Sequence, residues 1–425
     1  MVDQLFSVAG VNRSHRDMGD GTFAEVVMAD LGEELLDSFG RVRVSSPSYV
    51  FDAQLTYDLH PLLFEQLTAQ SGATIAHDAT NRCALLTFSS TPAGGRAIMQ
   101  SYEHFRYQPG RSHVAKVTFN FRGGVANALK FSGLSDGVNG MELQLNGPAP
   151  RVAIYSASGV GNQFVGQSQW RDPLDGTGPS GIVVDWTKTQ LLHIDLQALY
   201  VGRVRFYLAI GGVLIKFCEV NNANIQADPF LQTANLPVRC GMTCSGEVST
   251  TMNYICSSVV SEGGQLDELG IPQSVTGTEL STVNGTAKHL MSIRPKTTFN
   301  SIANRVKFDL KSIDGLATSG SSPILLQFCI GQALTAPSWT SVGDNSAFEY
   351  DVAGTVNGAP FHVFHSAWLP AGGAKPAIAQ PLRSKLPITL DAAGAVRANG
   401  VLSVLATGIG GSPNCRMSLN WSEIR

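Results

Sequence analysis

Charge is scarce in this chain. Asp, Glu, Lys and Arg together make up 15% of the 425 residues, where an ordinary soluble domain carries roughly 25%. The formal net charge is −3. That leaves no basic field of the kind that holds nucleic acid non-specifically, and no nucleic-acid partner is expected. Long apolar runs are missing as well. The best candidate, ALYVGRVRFYLAIGGVLIKF, is cut by Arg203, Arg205 and Lys216, so membrane insertion is not expected. The opening MVDQLFSVAGVNRSHRD has no basic stretch followed by an apolar core, and no secretory leader is expected there. Seven cysteines, Cys83, Cys218, Cys240, Cys244, Cys256, Cys329 and Cys415, form an odd and scattered set. That set does not read as a disulfide framework, and buried free thiols are the expectation.

The signatures of catalysis are also missing. No G-x-S-x-G elbow occurs, and no Gly-Lys dipeptide of a phosphate-binding loop. GVGNQFVG (159–166) lacks the glycine spacing and the βαβ setting of a dinucleotide turn. His362 and His365 would point to opposite faces of a strand, which argues against a shared metal. Cys240 and Cys244, with Cys256 and either Cys218 or a distant His, could be arranged as a zinc site, but buried structural thiols fit them better. DPLDGTGPSG (172–181) offers Asp172 and Asp175 where calcium wants six or more oxygens, so a turn is expected, with a structural ion left open. A glycosidase needs two carboxylates across a sugar cleft. Glu103, Glu142 and Asp195 are candidates, and nothing in the sequence pairs them. Neither a catalytic residue, a cofactor nor a metal is therefore assigned.

What is present is turn chemistry and alternation. Glycine, at 44 residues, exceeds its usual share of roughly 7%. HVAKVTFNF places Val114, Lys116, Thr118 and Asn120 on one face, and Ala115, Val117, Phe119 and Phe121 on the other. VGRVRFYLAIGGVLIKFCEV reads as a hairpin, with Gly211-Gly212 supplying the positive φ angles of its turn. Short runs such as GMELQLNG and PRVAIYSAS continue the pattern at spacings typical of sandwiches and jelly rolls. The expected fold is all-β, in four parts. Residues 1–50 form an N-terminal docking arm, with a helical pattern in AEVVMADLGEELLDSF (Val26, Val27, Leu31, Leu35, Leu36). Residues 51–262 form a jelly-roll-like β-sandwich, 263–279 a linker, and 280–425 a second β-sandwich.

Arg106 and Arg111 bracket the turn YQPG in FRYQPGRS. Lacking basic neighbours, they read as a strand corner rather than an anion patch. The alternate face of the hairpin carries Arg203, Arg205 and Tyr207, residue types enriched at interfaces, and these are the candidate contacts of a homo-oligomer. Trp170, Trp186, Trp339 and Trp368 are weighed as sugar platforms, with Trp170 and Trp339 kept as candidates for glycan contact.

RDMGDGTFAEVV (16–27), FGRVRVSSPSYVFDAQLTYDLHPLLFEQL (39–67), FRYQPGRS (105–112) and DPLDGTGPSGIVVDWTKTQLLHIDLQALYVGRVRFYLAIGG (172–212), taken as an ordered set, resemble tailed-bacteriophage virion proteins of the tail or tail-fibre type. LPITLDAAG and the closing SLNWSEIR are similar to the ends of some such proteins. The resemblance implies a non-enzymatic particle component located in the virion. It also implies attachment to other virion proteins through residues 1–50, homo-oligomerisation with a trimer favoured, and contact with a host surface glycan or receptor. A capsid decoration or head-fibre protein and a carbohydrate-binding module are the alternatives. A polysaccharide-degrading tail enzyme would need the carboxylate pair that the sequence does not supply.

Overall fold

The computed structural model describes residues 47–106, 110–197, 200–233, 235–262, 270–371 and 387–425, together with the backbone of 3–8, 11–17 and 23–26. Two antiparallel β-sandwiches account for nearly all of it.

The first sandwich pairs a seven-stranded sheet with an eight-stranded one. The seven-stranded order is Gln163–Gly166, Ala149–Tyr155, Gly140–Asn146, Ala128–Ser135, Val238–Cys244, Arg96–Ser101 and Phe64–Ala69. The other sheet runs Val213–Val220, Val204–Ile210, Gln190–Gln197, Ser112–Asn120, Val248–Ser261, Cys83–Thr91 and Ala73–Asp78. Ser48–Gln54 pairs with the far half of the long Val248–Ser261 strand. Neighbours in space are often far apart in sequence, as in a jelly roll, and one face of each strand supplies a common core. Ala115, Val117 and Phe119 meet Met141, Leu143 and Leu145 there. The Gly211-Gly212 turn is as expected, at φ +60° and +85° with Ile210 opposite Val213.

The second sandwich has its own core, including Ile293, Phe328, Leu402, Val404 and Trp421. Its larger sheet runs Thr340–Ser341, Phe348–Asp351, Lys288–Pro295, Leu402–Gly408, Ile324–Ile330 and His362–Leu369. The smaller is built on Asn414–Ile424, paired by Ile271–Thr276, Leu280–Ser281 and Lys307–Ser319.

Three boundaries differ from expectation. Phe23–Val26 is a strand in a three-stranded sheet with Asp3–Val8 and Val11–Asp17, so the helical pattern does not hold at its start; the remainder of that pattern lies outside the described residues. The first sandwich starts at Ser48 rather than residue 51, because Ser48–Gln54 is one uninterrupted strand. The expected linker contains Ile271–Thr276, which pairs with Asn414–Ile424; backbone pairing there outweighs a composition rich in turn formers.

Polar contacts join the two sandwiches. The Arg397 guanidinium lies 3.6 Å over the Tyr102 ring, and Thr389 Oγ1 donates to the Tyr102 carbonyl at 3.1 Å. The Ala392 amide donates to Glu65 Oε2 at 2.8 Å, and Lys307 approaches Glu103 at 3.6 Å. The second sandwich thereby closes one end of the seven-stranded sheet's outer face.

Candidate functional site

Strand alternation decides which groups leave the first core. In Gly140–Asn146, Met141, Leu143 and Leu145 point inward, so Glu142 and Gln144 project from the outer face. In Gln190–Gln197, Leu192, Ile194 and Leu196 point inward, so His193 and Asp195 project from the opposite side of the sandwich. Glu142 and Asp195 therefore belong to different sheets that face away from each other, and cannot flank one sugar. Glu103 sits at the junction with Lys307.

Register sets the groups on the outer face of the seven-stranded sheet. One cross-strand row reads Phe164, Ala153, Glu142, Gly133, Arg239, Gln100 and Glu65. The next reads Gly166, Arg151, Gln144, Phe131, Gly241 and Ile98. The two rows hold each other. Gln144 Nε2 donates to Glu142 Oε2 at 2.7 Å and contacts the Tyr155 hydroxyl at 2.8 Å. Arg151 Nε donates to Gln144 Oε1 at 2.8 Å, and its guanidinium lies 4.4 Å over the Phe164 ring. The Arg239 guanidinium lies 5.3 Å over Phe131. Burial raises the Glu142 carboxyl above its ordinary range, opposed by the Arg239 charge and the Gln144 and Ser135 hydrogen bonds. The face is open at the far edge, where Phe164 is 47% exposed.

The outer face of the eight-stranded sheet is also polar. Its rows run Glu219, Arg205, Asp195, Val114 and Val260, then Lys216, Tyr207, His193, Lys116, Ser258 and Asp52. Arg205 and Tyr207 are buried within the chain. Arg205 is ion-paired with the equally buried Asp195, and Tyr207 meets His193 edge to face at 5.3 Å. The exposed hairpin face expected of Arg203, Arg205 and Tyr207 is thus reduced to Arg203, which is half-buried beside Glu219 at 3.8 Å. Alternation identified the face but could not reveal that it would be covered.

The tryptophans separate in the same way. Trp170 is 4% exposed, donates Nε1 to the Val165 carbonyl at 3.1 Å and packs on Phe217, so it is a core residue and not a platform. Trp339 is half-buried, with the Arg294 guanidinium 3.9 Å over its ring; Arg294 is itself held by Glu349 at 2.6 Å. Trp186 packs near Phe121. Trp368, on the edge strand His362–Leu369, is 55% exposed.

The other candidates resolve into structure. Asp172 accepts the Leu174 and Ser180 amides at 3.2 and 2.9 Å, and Asp175 accepts the Thr177 amide at 3.0 Å, so both carboxylates organise turns. Cys240 and Cys218 are core thiols pushed up to about 12 by burial. Cys244 donates to the Pro92 carbonyl at 3.1 Å. Among the described residues no group of three His, Cys, Asp or Glu is placed to hold a metal. His365 packs on Phe328 while His362 is exposed, as their strand positions require. At the corner, Phe105 bridges to Leu236 and Gly110 has φ +80°; Tyr107, Gln108 and Pro109 lie outside the described residues.

Sequence reasoning missed one constellation. His289 Nε2 lies 2.8 Å from Ser292 Oγ, and Nδ1 lies 3.7 Å from Asp351 Oδ2. The residue types match a hydrolase triad, but the bonds do not. Nδ1 is hydrogen-bonded to the Gly354 carbonyl at 2.9 Å, Asp351 accepts the backbone amides of Ser338, Ala353 and Gly354, and Ser292 bonds onward to Ser403 at 2.6 Å. All four side chains are buried, so the network serves the interior of the second sandwich.

No family model matches the sequence, and no curated protein matches it. Solved structures do resemble the fold. An endo-1,3-β-glucanase from Streptomyces sioyaensis matches 52% of this chain and 98% of its own at 10% identity, with a TM-score of 0.36. Winged bean acidic lectin complexed with methyl-α-D-galactose matches 50% of this chain and 98% of its own at 11% identity, with a TM-score of 0.33. Bacillus licheniformis β-glucanase matches 52% and 100% at 12% identity, with a TM-score of 0.31. At these identities and scores the likeness says nothing about ligand or reaction.

Proposed function

We propose that this protein is a non-catalytic structural subunit that contacts a glycan through the outer face of its seven-stranded sheet. The observation that carries the reading is the composition of that face. At the open edge of that face the half-buried Arg151 guanidinium and Tyr155 phenol, both held by the buried Gln144, stand beside the 47%-exposed Phe164 ring, the mixture that holds a sugar by its hydroxyls and its apolar face. The same face argues against hydrolysis. Within the two cross-strand rows the only carboxylate besides Glu142 is Glu65, four strands and roughly 19 Å away, and the next outward groups on Glu142's own strand are Gln144 and Asn146. A retaining or inverting glycosidase needs a second carboxyl group within about 5–9.5 Å, and the amides cannot supply its proton. Membership of a tailed-phage particle, with attachment through residues 1–50 and a closed oligomer such as a trimer, rests on the sequence resemblance.

The reading is tested by placing the purified chain on a glycan array while assaying the bound glycans for cleavage. Binding without product release, weakened in Phe164→Ala and Arg151→Ala, is expected. Release of shortened products that stops in Glu142→Gln would overturn the non-catalytic part, and absence of binding to every glycan would overturn the contact. Immunogold labelling of particles tests the location separately.

A further inference from the structure

The outer face of the larger sheet in the second sandwich is covered at its centre and open along one edge. Ile324, Leu326, Phe328 and Ile330 point into the core, so Leu325, Gln327 and Cys329 face outward. Their partners on the edge strand His362–Leu369 are Trp368, Ser366 and Val363. Phe361 continues that stripe, its amide donating to the Gly331 carbonyl at 3.3 Å. Toward the middle of the sheet the same face closes. Ser403 and Leu405, opposite Cys329 and Gln327, are buried, and the Gly354 carbonyl meets the outward ring of His289, which pairs with Leu405. The two outermost strands are thereby left as an open ledge beside the covered centre.

The ledge is exposed, aromatic at both ends and uncharged. Trp368 is 55% exposed, Phe361 49% and Val363 38%, while Leu325 and Gln327 are half-buried. Trp368 stands opposite Leu325 and Phe361 opposite Gly331, which puts the two rings about 20 Å apart at the rise of a β-strand. Between them lie the Ser366 hydroxyl and the Gln327 amide. Among the described residues neither of these groups, nor the Trp368 indole N–H, has a hydrogen-bond partner within the chain. Neither strand of the ledge carries Asp, Glu, Lys or Arg. Edge strands are commonly guarded by charge, and the first sandwich follows that rule, with Lys216 and Glu219 on Val213–Val220 and Asp78 on Ala73–Asp78. His362–Leu369 departs from it and shows solvent an apolar stripe of the kind that marks an interaction surface.

We propose that this ledge binds a neutral glycan chain lying along the edge strand, with Trp368 and Phe361 stacking on two of its sugar rings and Gln327, Ser366 and Trp368 Nε1 bonding to hydroxyls between them. The inference extends the glycan reading to a second surface and shares with it only the class of ligand. A sugar ring has an apolar C–H face and a rim of hydroxyls. An exposed indole or phenyl ring matches the first, and an amide or hydroxyl matches the second. The spacing favours a chain of sugars over a protein partner, because a protein interface buries a contiguous apolar centre, whereas these rings stand apart with polar groups between them. The missing charge favours a neutral chain. With no Lys or Arg on either strand, an acidic polymer would find no opposite charge along the ledge.

The test is native electrophoresis of the full chain through gels holding hydroxyethyl cellulose, dextran, mannan or, as the acidic comparison, polygalacturonate. At least one neutral polymer is expected to retard the wild type and, in solution, to shield Trp368 from iodide. Trp368→Ala should weaken the retardation at least about fivefold, the scale of one lost aromatic contact. Trp368→Phe should keep part of it, and thermal melting checks that both variants fold. A wild type that no neutral polymer retards, retardation unchanged in Trp368→Ala, or stronger retardation by polygalacturonate than by every neutral polymer would overturn the proposal. Retardation lost only in Phe164→Ala and Arg151→Ala would sink it and spare the reading of the first sandwich, whereas loss only in Trp368→Ala would do the reverse. Sedimentation adds a further check: a wild-type oligomer that Trp368→Ala converts to a monomer would assign the ledge to a second copy of the chain and overturn the glycan site.

Discussion

Lys130 should be among the most costly side chains to remove from the first sandwich. It lies in Ala128–Ser135 of the seven-stranded sheet, is 1% exposed, and points into the core. Its ammonium donates to the Phe121, Gly123 and Thr251 carbonyls at 2.6, 2.9 and 2.8 Å. All three acceptors belong to the opposite sheet or the loop leaving it, so one side chain ties the two layers together. Lys130→Met keeps the volume and strands three carbonyls. At about 1–3 kcal/mol for each unsatisfied group, less the gain from a buried thioether, the net loss is about 4 kcal/mol. For a sandwich of this size that corresponds to a melting transition lower by roughly 8–16 °C. Calorimetry of the full chain reads it, with the second sandwich as an internal reference. The pH dependence gives an independent reading. Burial pushes the Lys130 ammonium down to about 8 from 10.5. Between those values the unfolded chain holds more protons than the folded one, so the wild type gains stability relative to Lys130→Met as pH rises through that window, by up to about 1.4 kcal/mol per pH unit. A loss under about 1 kcal/mol would refute the three-carbonyl account. A gap that narrows over that pH window would show that the carbonyls hold the ammonium more strongly than burial opposes it.

Of the seven thiols, the half-buried Cys256 alone should react promptly with Ellman's reagent in the native chain, and all seven should react in denaturant; two or more fast native thiols would contradict their burial. Because burial raises the Glu142 carboxyl, its contribution to stability is present at low pH and is lost as pH rises through the raised value. Glu142→Gln should therefore flatten the decline of the urea midpoint from mildly acidic to alkaline buffer, and an unchanged slope would count against it. His289→Ala should cost the second sandwich about 1–3 kcal/mol by removing the imidazole partner of the Gly354 carbonyl and leaving Ser292 with Ser403 alone, and an unshifted second transition would rule this out. Trp368→Phe should remove the largest share of the iodide-quenchable fluorescence, since Trp170 and Trp421 are buried and Trp186 and Trp339 half-buried; a variant quenched as strongly as the wild type would contradict this.

Much of the fold was legible because alternation and glycine turns are local. HVAKVTFNF announced its core face, and Gly211-Gly212 announced a hairpin whose φ values follow. The failures have a shared physical cause, which is that alternation gives a strand two faces without saying what will cover the second. Arg205 and Tyr207 looked available because their neighbours Val204 and Phe206 claimed the core, yet both sides of that strand are buried. Trp339 looked like a platform because Arg294 is remote in sequence and comes to rest over its ring only after folding. In AEVVMADLGEELLDSF the helical spacing was real, but at Phe23–Val26 pairing with Val11–Asp17 prevailed.

The candidate site was half legible for the same reason. MELQLN displays Glu142 and Gln144 on one side of a strand, and that much follows from a period of two. Their relation to Arg239 does not, because it depends on Gly133 standing opposite both Glu142 and Arg239 in the central strand. Shifting either pairing by one residue would turn Leu143 outward and the Glu142 carboxyl into the apolar core between the sheets. The two bare glycines act at the same level. Each is demanded by a carbonyl of the adjacent strand, whose backbone occupies the place a side chain would take. Sheet register therefore determines both the backbone pairing and which polar groups share the outer face, and a substitution at Gly133 or Gly241 should force the adjacent strands apart.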